Sequence, residues 1–283
     1  MLSEIYRKRC QPLSPLPTEV EPSYSLLNGI AVVIFDIYGT LFISGSGDIG
    51  ITHATQKEDA LRSILIEHFD LNPPTDVSLT GNLLSLIKQE HARLKLQQVE
   101  YPEVEIRELW QTLIQPYADL SHAQIEQLAT SYEATVNPAW AMPNVLETLS
   151  DLHQKNYQLG LISNAQFYTP HLFPALLDLS IEDLHFHSTF CAYSYRERQA
   201  KPGVHLYQKV LHNLTQQNIA PNQVLYVGND MRNDVWPAHQ LGFQTVLFAG
   251  DRRSLRLREE DNLPSPDYTI TDLAQLCEML PSP

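Results

Sequence analysis

Eight polar residues in four clusters define the chemistry open to this chain. Asp36 and Thr40 follow the apolar run Val32-Val33-Ile34-Phe35, and Ser163 and Asn164 follow Leu159-Gly160-Leu161-Ile162. Lys201 stands before Pro202, while Asn229, Asp230 and Asp234 follow Val224-Leu225-Tyr226-Val227-Gly228. Apolar runs of this kind read as strands buried on both faces of a parallel sheet. Open α/β sheets present their ligands at the carboxyl ends of such strands. Taken singly, each residue has a plain structural role: Asp36 and Asn229 cap turns, Ser163 caps a helix, Lys201 is a solvated surface lysine, and Asp230 and Asp234 favour a helix dipole. Those roles do not account for their joint placement after successive strands. The placement points to a polar cleft in which three carboxylates meet one lysine.

The rest of the chain supplies the elements that hold these clusters. Residues 1–28 contain Pro12, Pro15, Pro17 and Pro22 and read as an N-terminal arm packed loosely on the surface. The glycine-rich stretch Ser44–Gly50 reads as a flap over the Asp36 edge, matching neither the P-loop nor the dinucleotide fingerprint. From residue 52 to 132 the apolar spacing is helical. Leu61, Ile64 and Leu65 mark one face, Leu83, Leu84, Ile87, His91 and Leu94 a second, and Ile106, Leu109, Trp110, Leu113 and Ile114 a third. Ser121 and Gln124 open a fourth helix as a capping box. Beyond Pro143 strands and helices alternate, with a helix opening at Pro202 and another over 235–241. This pattern predicts an α/β fold, a doubly wound parallel sheet carrying an inserted helical domain. The predicted organisation is an arm at 1–28, an α/β core at 29–45 and 141–283, and a helical insertion at 46–140.

A net charge of −14 argues against nucleic acid and anionic membrane as partners. A small anionic substrate stays open, because a local field can oppose the global one. Cys10, Cys191 and Cys277 show no short pairing, which fits a reducing setting. No apolar run approaches the ~20 residues of a membrane helix, and Arg7, Lys8 and Arg9 are not followed by the apolar segment of a signal peptide. The expectation is a soluble cytoplasmic protein, monomer or homodimer.

Asp36-Ile37-Tyr38-Gly39-Thr40-Leu41 resembles the first motif of the haloacid dehalogenase-like (HAD) hydrolases. Ser163-Asn164 is similar to the second motif, Lys201-Pro202 to the third, and Gly228-Asn229-Asp230-Met231-Arg232-Asn233-Asp234 to the fourth. The resemblance spans roughly residues 30 to 275. It implies a Rossmann-like core with residues 46–140 as a cap, and hydrolysis through a covalent intermediate on Asp36. In that scheme Thr40, Ser163 and Lys201 join Asp36 as catalytic residues, and Asn164 and Gly39 bind substrate. Asp36, Asp230 and Asp234 would repel one another unless a cation intervened, and hard oxygen ligands suit Mg²⁺. Asp36, the Tyr38 backbone carbonyl, Asn229, Asp230 and Asp234 are the candidate ligands.

Two positions depart from the family pattern. Tyr38 stands where phosphatases of the family carry an aspartate that protonates the leaving alcohol, and Asn229 takes the place of the usual first acid of motif four. Asp-x-Tyr-Gly-Thr is the form seen in 2-haloacid dehalogenases, which hydrolyse a carbon–halogen bond without metal, and Tyr207 fits that pattern too, although a core position accounts for it equally. The acidic fourth motif does not match the dehalogenases. The favoured activity is therefore Mg²⁺-dependent hydrolysis of a small phosphorylated metabolite; the alternatives are a dehalogenase and a weakly active or non-catalytic binding module. Glu105 and Arg107 are candidates for substrate selection set against plain helix surface charge. Arg252, Arg253, Arg256 and Arg258 read as a solvated, salt-bridged helix.

Overall fold

In the computed structural model, which describes residues 1–45 and 54–282, eight strands form two sheets. The strands are β1 (Val32–Phe35), β2 (Phe42–Ser44), β3 (Ala139–Ala141), β4 (Gln158–Ser163), β5 (Phe186–Tyr193), β6 (Val224–Gly228), β7 (Gln244–Phe248) and β8 (Tyr268–Ile270). Six of them form a parallel sheet in the order β5-β4-β1-β6-β7-β8. All four residues of β1 are fully buried, as the unbroken apolar run requires of a central strand covered on both faces. Phe35 pairs in register with Leu161 on one side and Val227 on the other. The carboxyl ends of β1, β4 and β6 therefore lie side by side, at the point where strand order reverses and crevices form. The fold is mixed α/β with a Rossmann-like parallel sheet.

β2 and β3 make an antiparallel ribbon, Phe42 opposite Ala141 and Ser44 opposite Ala139, through which the chain leaves and re-enters the core. Following the N-terminal helix α1 (Leu2–Arg9), four helices lie between the two ribbon strands: α2 (Ala54–Phe69), α3 (Leu79–Leu96), α4 (Ile106–Ile114) and α5 (His122–Val136). The five residues of the α4 apolar face are all buried. On α3, Leu83 and Leu94 are buried but Leu84 is exposed, so that face is narrower than its spacing implies. Both halves of the Ser121/Gln124 capping box are made. Of the stretch Ser44–Gly50 read as a flap, Ser44 is instead the last residue of β2, and residues 46–50 lie outside the described residues.

Other expectations need correction. The arm is not loosely packed: α1 buries Tyr6, and Cys10 at its C-cap is buried as well. Arg7 binds the Pro174 carbonyl and Asp178 on the core side, while Arg9 reaches Thr135 and His68 on α5 and α2. Farther on, Ser23 and Thr269 exchange backbone hydrogen bonds at the edge of β8, and the Leu16 N–H donates to Asp251 at 2.9 Å. The prolines forbid helix over 12–22, but they leave backbone groups that the open sheet edge satisfies.

After α6 (Val145–Gln154), α7 (Leu172–Leu176) and α8 (Ser194–Glu197), the helix expected at Pro202 begins only at His205, as α9 (His205–Gln216). Asn164 occupies both backbone groups of Lys201, accepting from its N–H at 2.7 Å and donating to its carbonyl at 3.2 Å, so neither can enter a helical ladder. A π-turn over Met231–Val235 precedes α10 (Trp236–Gln240), and α11 (Gln275–Met279) closes the chain. Residues 252–254 form a turn and 255–258 run irregularly in place of a helix, because Asp251 captures the Arg253 N–H and Arg256 pairs with Asp230 in a parallel bridge. No described helix is long and apolar enough to cross a membrane.

The helical insertion is tied to the core near Lys201. Arg198 bridges Glu90 on α3 at 2.5 Å and Glu108 on α4 at 3.1 Å. Hydrogen bonds from Arg93, and then from Arg198, hold the Glu90 carboxyl down to about 2 from its ordinary 4.5. A depressed carboxyl pKa stabilises the fold above the unfolded value and loses that contribution as pH falls through the folded one. Glu90→Gln is therefore expected to lower unfolding free energy at pH 6, with the gap to wild type closing between pH 4.5 and 2; urea titrations across that window measure it.

Candidate active site

Lys201 is almost wholly buried, and its ammonium lies between two carboxylates, 2.7 Å from Asp36 Oδ1 and 2.5 Å from Asp234 Oδ1. Each partner is delivered by a strand end. Asp36 follows β1 directly, and its N–H donates to the Val227 carbonyl of β6 at 2.9 Å. Asp234 sits in the π-turn after β6, held by the Asp230 N–H at 2.9 Å and the Tyr226 hydroxyl at 3.1 Å. Gly228 is required here, since a Cβ would stand 2.4 Å from Asp234 Cγ.

Burial drives the electrostatics. It pushes the Asp234 carboxyl up to about 7, with Asp36 and Asp230 adding to the rise and Lys201 opposing it. For Lys201 burial acts to lower the pKa, but the attraction of Asp234 and Asp36 outweighs it and the amine is held above its ordinary value. It stays an ammonium, the counter-charge that lets two carboxylates share a buried site.

Thr40 donates to Asn229 Oδ1 at 3.1 Å, and Asn229 Nδ2 donates to the Ser254 carbonyl at 2.6 Å. Gly39 has φ +85°, and a Cβ there would collide with Ser254 and Asn229. Ser163 is buried at the end of β4, making only a 3.5 Å contact with the Asn164 carbonyl. Asn164, expected on the substrate, is engaged with the Lys201 backbone and holds that lysine in place. The Tyr38 hydroxyl lies 3.2 Å from Thr169, and its burial, with Glu133 nearby, raises its pKa. The phenol is thus neutral. Tyr207 is a core residue: fully buried, it donates to the Asn233 carbonyl and packs against Tyr226.

The candidate cation ligands divide into two groups. Asp234 is held by Lys201 and Tyr226, and Asp230 by Arg258 and the N–H groups of Arg232 and Asn233. Among the described residues, Asp234 Oδ2 accepts only the Asp230 N–H, in a side chain 2% exposed; outside Asp234, an oxygen on each of three residues retains capacity. Asp36 Oδ2 and the Tyr38 carbonyl accept no hydrogen bond there, and Asn229 Oδ1 accepts one. This is a hard-oxygen set containing one carboxylate, which suits Mg²⁺ completed by water or an anionic ligand. No group of three or more acidic, histidine or cysteine side chains converges as a metal cage among the described residues.

Glu105 and Arg107 pair with each other, and Arg107 also pairs with Glu126 and lies 4.8 Å from the Phe167 ring centroid, so its charge is already matched. Two contributors escaped the sequence reading. Tyr226 lies inside an apolar strand; a lone phenol two residues before Gly228 was the available signal. Arg258 carried no spacing signal, and sits 2.8 Å from Asp230.

The family profile described as haloacid dehalogenase-like hydrolase matches residues 30–242. A phosphoglycolate phosphatase of Haemophilus influenzae is 29% identical over 168 residues, covering 57% of this chain and 69% of the relative. A glyceraldehyde 3-phosphate phosphatase of Pyrococcus furiosus is 27% identical over 140 residues, covering 49% and 54%. The crystal structure of a 2-haloacid dehalogenase from Pseudomonas syringae superposes with a TM-score of 0.57 at 20% identity, over 88% of this chain and 97% of that one. This last likeness concerns the fold alone.

Lys201→Met would leave Asp36 and Asp234 without their counter-charge. Removing one partner of a buried ion pair costs about 3–5 kcal/mol, and this is the loss expected in urea unfolding at pH 7. Adding Asp234→Asn should recover part of it, whereas a double variant no more stable than Lys201→Met would contradict the arrangement.

Proposed function

The chain belongs to the haloacid dehalogenase-like hydrolases, and from that premise we propose that it is a Mg²⁺-dependent phosphatase of a small phosphorylated metabolite, with Asp36 as nucleophile. The observation that carries this reading is the asymmetry of the Asp36 carboxylate: Lys201 holds Oδ1 at 2.7 Å, while Oδ2 has no hydrogen-bond partner among the described residues. The phosphatase relatives support a phosphoryl substrate, and 2-phosphoglycolate and glyceraldehyde 3-phosphate are the first candidates to test. A net-negative protein needs local positive charge to hold such an anion, which Lys201 supplies in part.

In the proposed reaction the Asp36 carboxylate attacks phosphorus and the bond to the leaving oxygen breaks. Tyr38 is turned to Thr169, so the departing oxygen takes its proton from water. A second water then attacks phosphorus, the bond to Asp36 breaks, and inorganic phosphate leaves as the carboxylate is regenerated. Throughout, Lys201 steadies the carboxylate, and the Thr40 and Ser163 hydroxyls are the nearby donors for phosphoryl oxygens. Mg²⁺, held by Asp36, the Tyr38 carbonyl and Asn229, would supply charge neutralisation. Without a side-chain acid at position 38, substrates with good leaving groups, acyl phosphates among them, gain over alkyl phosphates; a general acid is worth about 10²–10⁴ in rate. The helical insertion acts as the cap that selects substrate, and the protein works as a monomer or homodimer.

Hydrolysis of a carbon–halogen bond is the second reading, favoured by Tyr38 alone. Phosphate release from 2-phosphoglycolate, glyceraldehyde 3-phosphate and acetyl phosphate, assayed beside halide release from 2-chloropropionate, separates the two. The expected result is Mg²⁺-dependent phosphate release that EDTA abolishes and Asp36→Asn lowers by on the order of 10³ or more. Turnover unchanged by EDTA, or halide as the only product, would overturn it.

A further inference from the structure

Asp230 is the motif-four acid for which the reaction above has no use, and its surroundings explain why. The carboxylate receives five donors. Oδ1 accepts from the Arg232 N–H at 2.9 Å, the Asn233 N–H at 3.2 Å and Arg258 Nε at 3.2 Å; Oδ2 accepts from Asn233 Nδ2 at 2.9 Å and Arg258 Nη2 at 2.8 Å. A carboxylate offers about four lone-pair sites, so no room remains for a cation. The Arg258 contact is two-pronged, the form in which a guanidinium binds a carboxylate most strongly.

The segment that delivers Arg258 is itself laced to motif four. Arg256 donates its N–H to the Asn229 carbonyl at 3.0 Å and accepts from the Met231 N–H at 2.9 Å, and Arg232 pairs with Asp261. Asp230 in turn donates its own N–H to Asp234, the partner of Lys201.

We propose that Arg258 is a positioning residue that withdraws Asp230 from the cation site, so that Asp36 is the carboxylate left open to a divalent ion. Arg258 does for Asp230 what Lys201 does for Asp234. The inference rests on the Mg²⁺ reading above for its assay.

Isothermal titration of Mg²⁺ into the substrate-free protein tests it, using wild type, Arg258→Gln, Arg258→Lys, Asp230→Asn and the Arg258→Gln/Asp230→Asn double variant. Arg258→Gln unmasks a carboxylate and should bind Mg²⁺ roughly tenfold more tightly, since affinity follows ligand charge. Arg258→Lys and Asp230→Asn should keep wild-type affinity, and the double variant should return to it. Arg258→Gln at wild-type affinity, or a tenfold loss in Asp230→Asn alone, would overturn the proposal. If wild type takes up no Mg²⁺, the Mg²⁺ reading fails, and this inference is then decided by whether Arg258→Gln gains a site that the double variant lacks. A failure of Arg258→Gln to fold leaves the Asp230→Asn arm, where unchanged affinity supports the inference and lost affinity ends it.

Discussion

One buried ammonium between two carboxylates organises this molecule. A buried charge must be paired to be tolerated, and Lys201 supplies the counter-charge 2.7 Å from Asp36. The arrangement is demanding. Lysine must leave the helical ladder, which Asn164 enforces by binding both of its backbone groups. Asp234 must reach the far side of the ammonium, which the π-turn after β6 and the absence of a side chain at Gly228 permit. The register of β1 with β4 and β6 brings the three strand ends to one place.

Charge is matched pair by pair across this edge of the sheet. Lys201 serves Asp36 and Asp234, Arg258 serves Asp230, and Arg198 ties the helical insertion to the core through Glu90 and Glu108. Among the described residues outside Asp234, oxygen capacity is left at Asp36 Oδ2, the Tyr38 carbonyl and Asn229 Oδ1. Tyr38 places a neutral phenol, turned against Thr169, where a carboxyl acid could have stood.

The parts that sequence made legible are those set by local periodicity. β1, β6 and the four inserted helices follow from apolar spacing, and the Ser121/Gln124 box marks a helix start that the structure contains. Contacts between distant residues were not legible. The prolines of the arm hid its pairing with β8, and Pro202 suggested a helix start that Asn164, thirty-seven residues away in sequence, forbids. The arginines at 252–258 looked like a solvated helix because nothing local reveals that Asp230 will meet Arg258. Site chemistry was thus readable as residue types at strand ends, but not as partnerships.

The central claim is that Asp36 carries the phosphoryl group. Acid quenching during turnover of acetyl phosphate, followed by peptide mass spectrometry, tests it most directly. The account predicts a single phosphoryl adduct on the peptide containing Asp36, absent in Asp36→Asn; phosphate release with no adduct there, or an adduct on another residue, would contradict it.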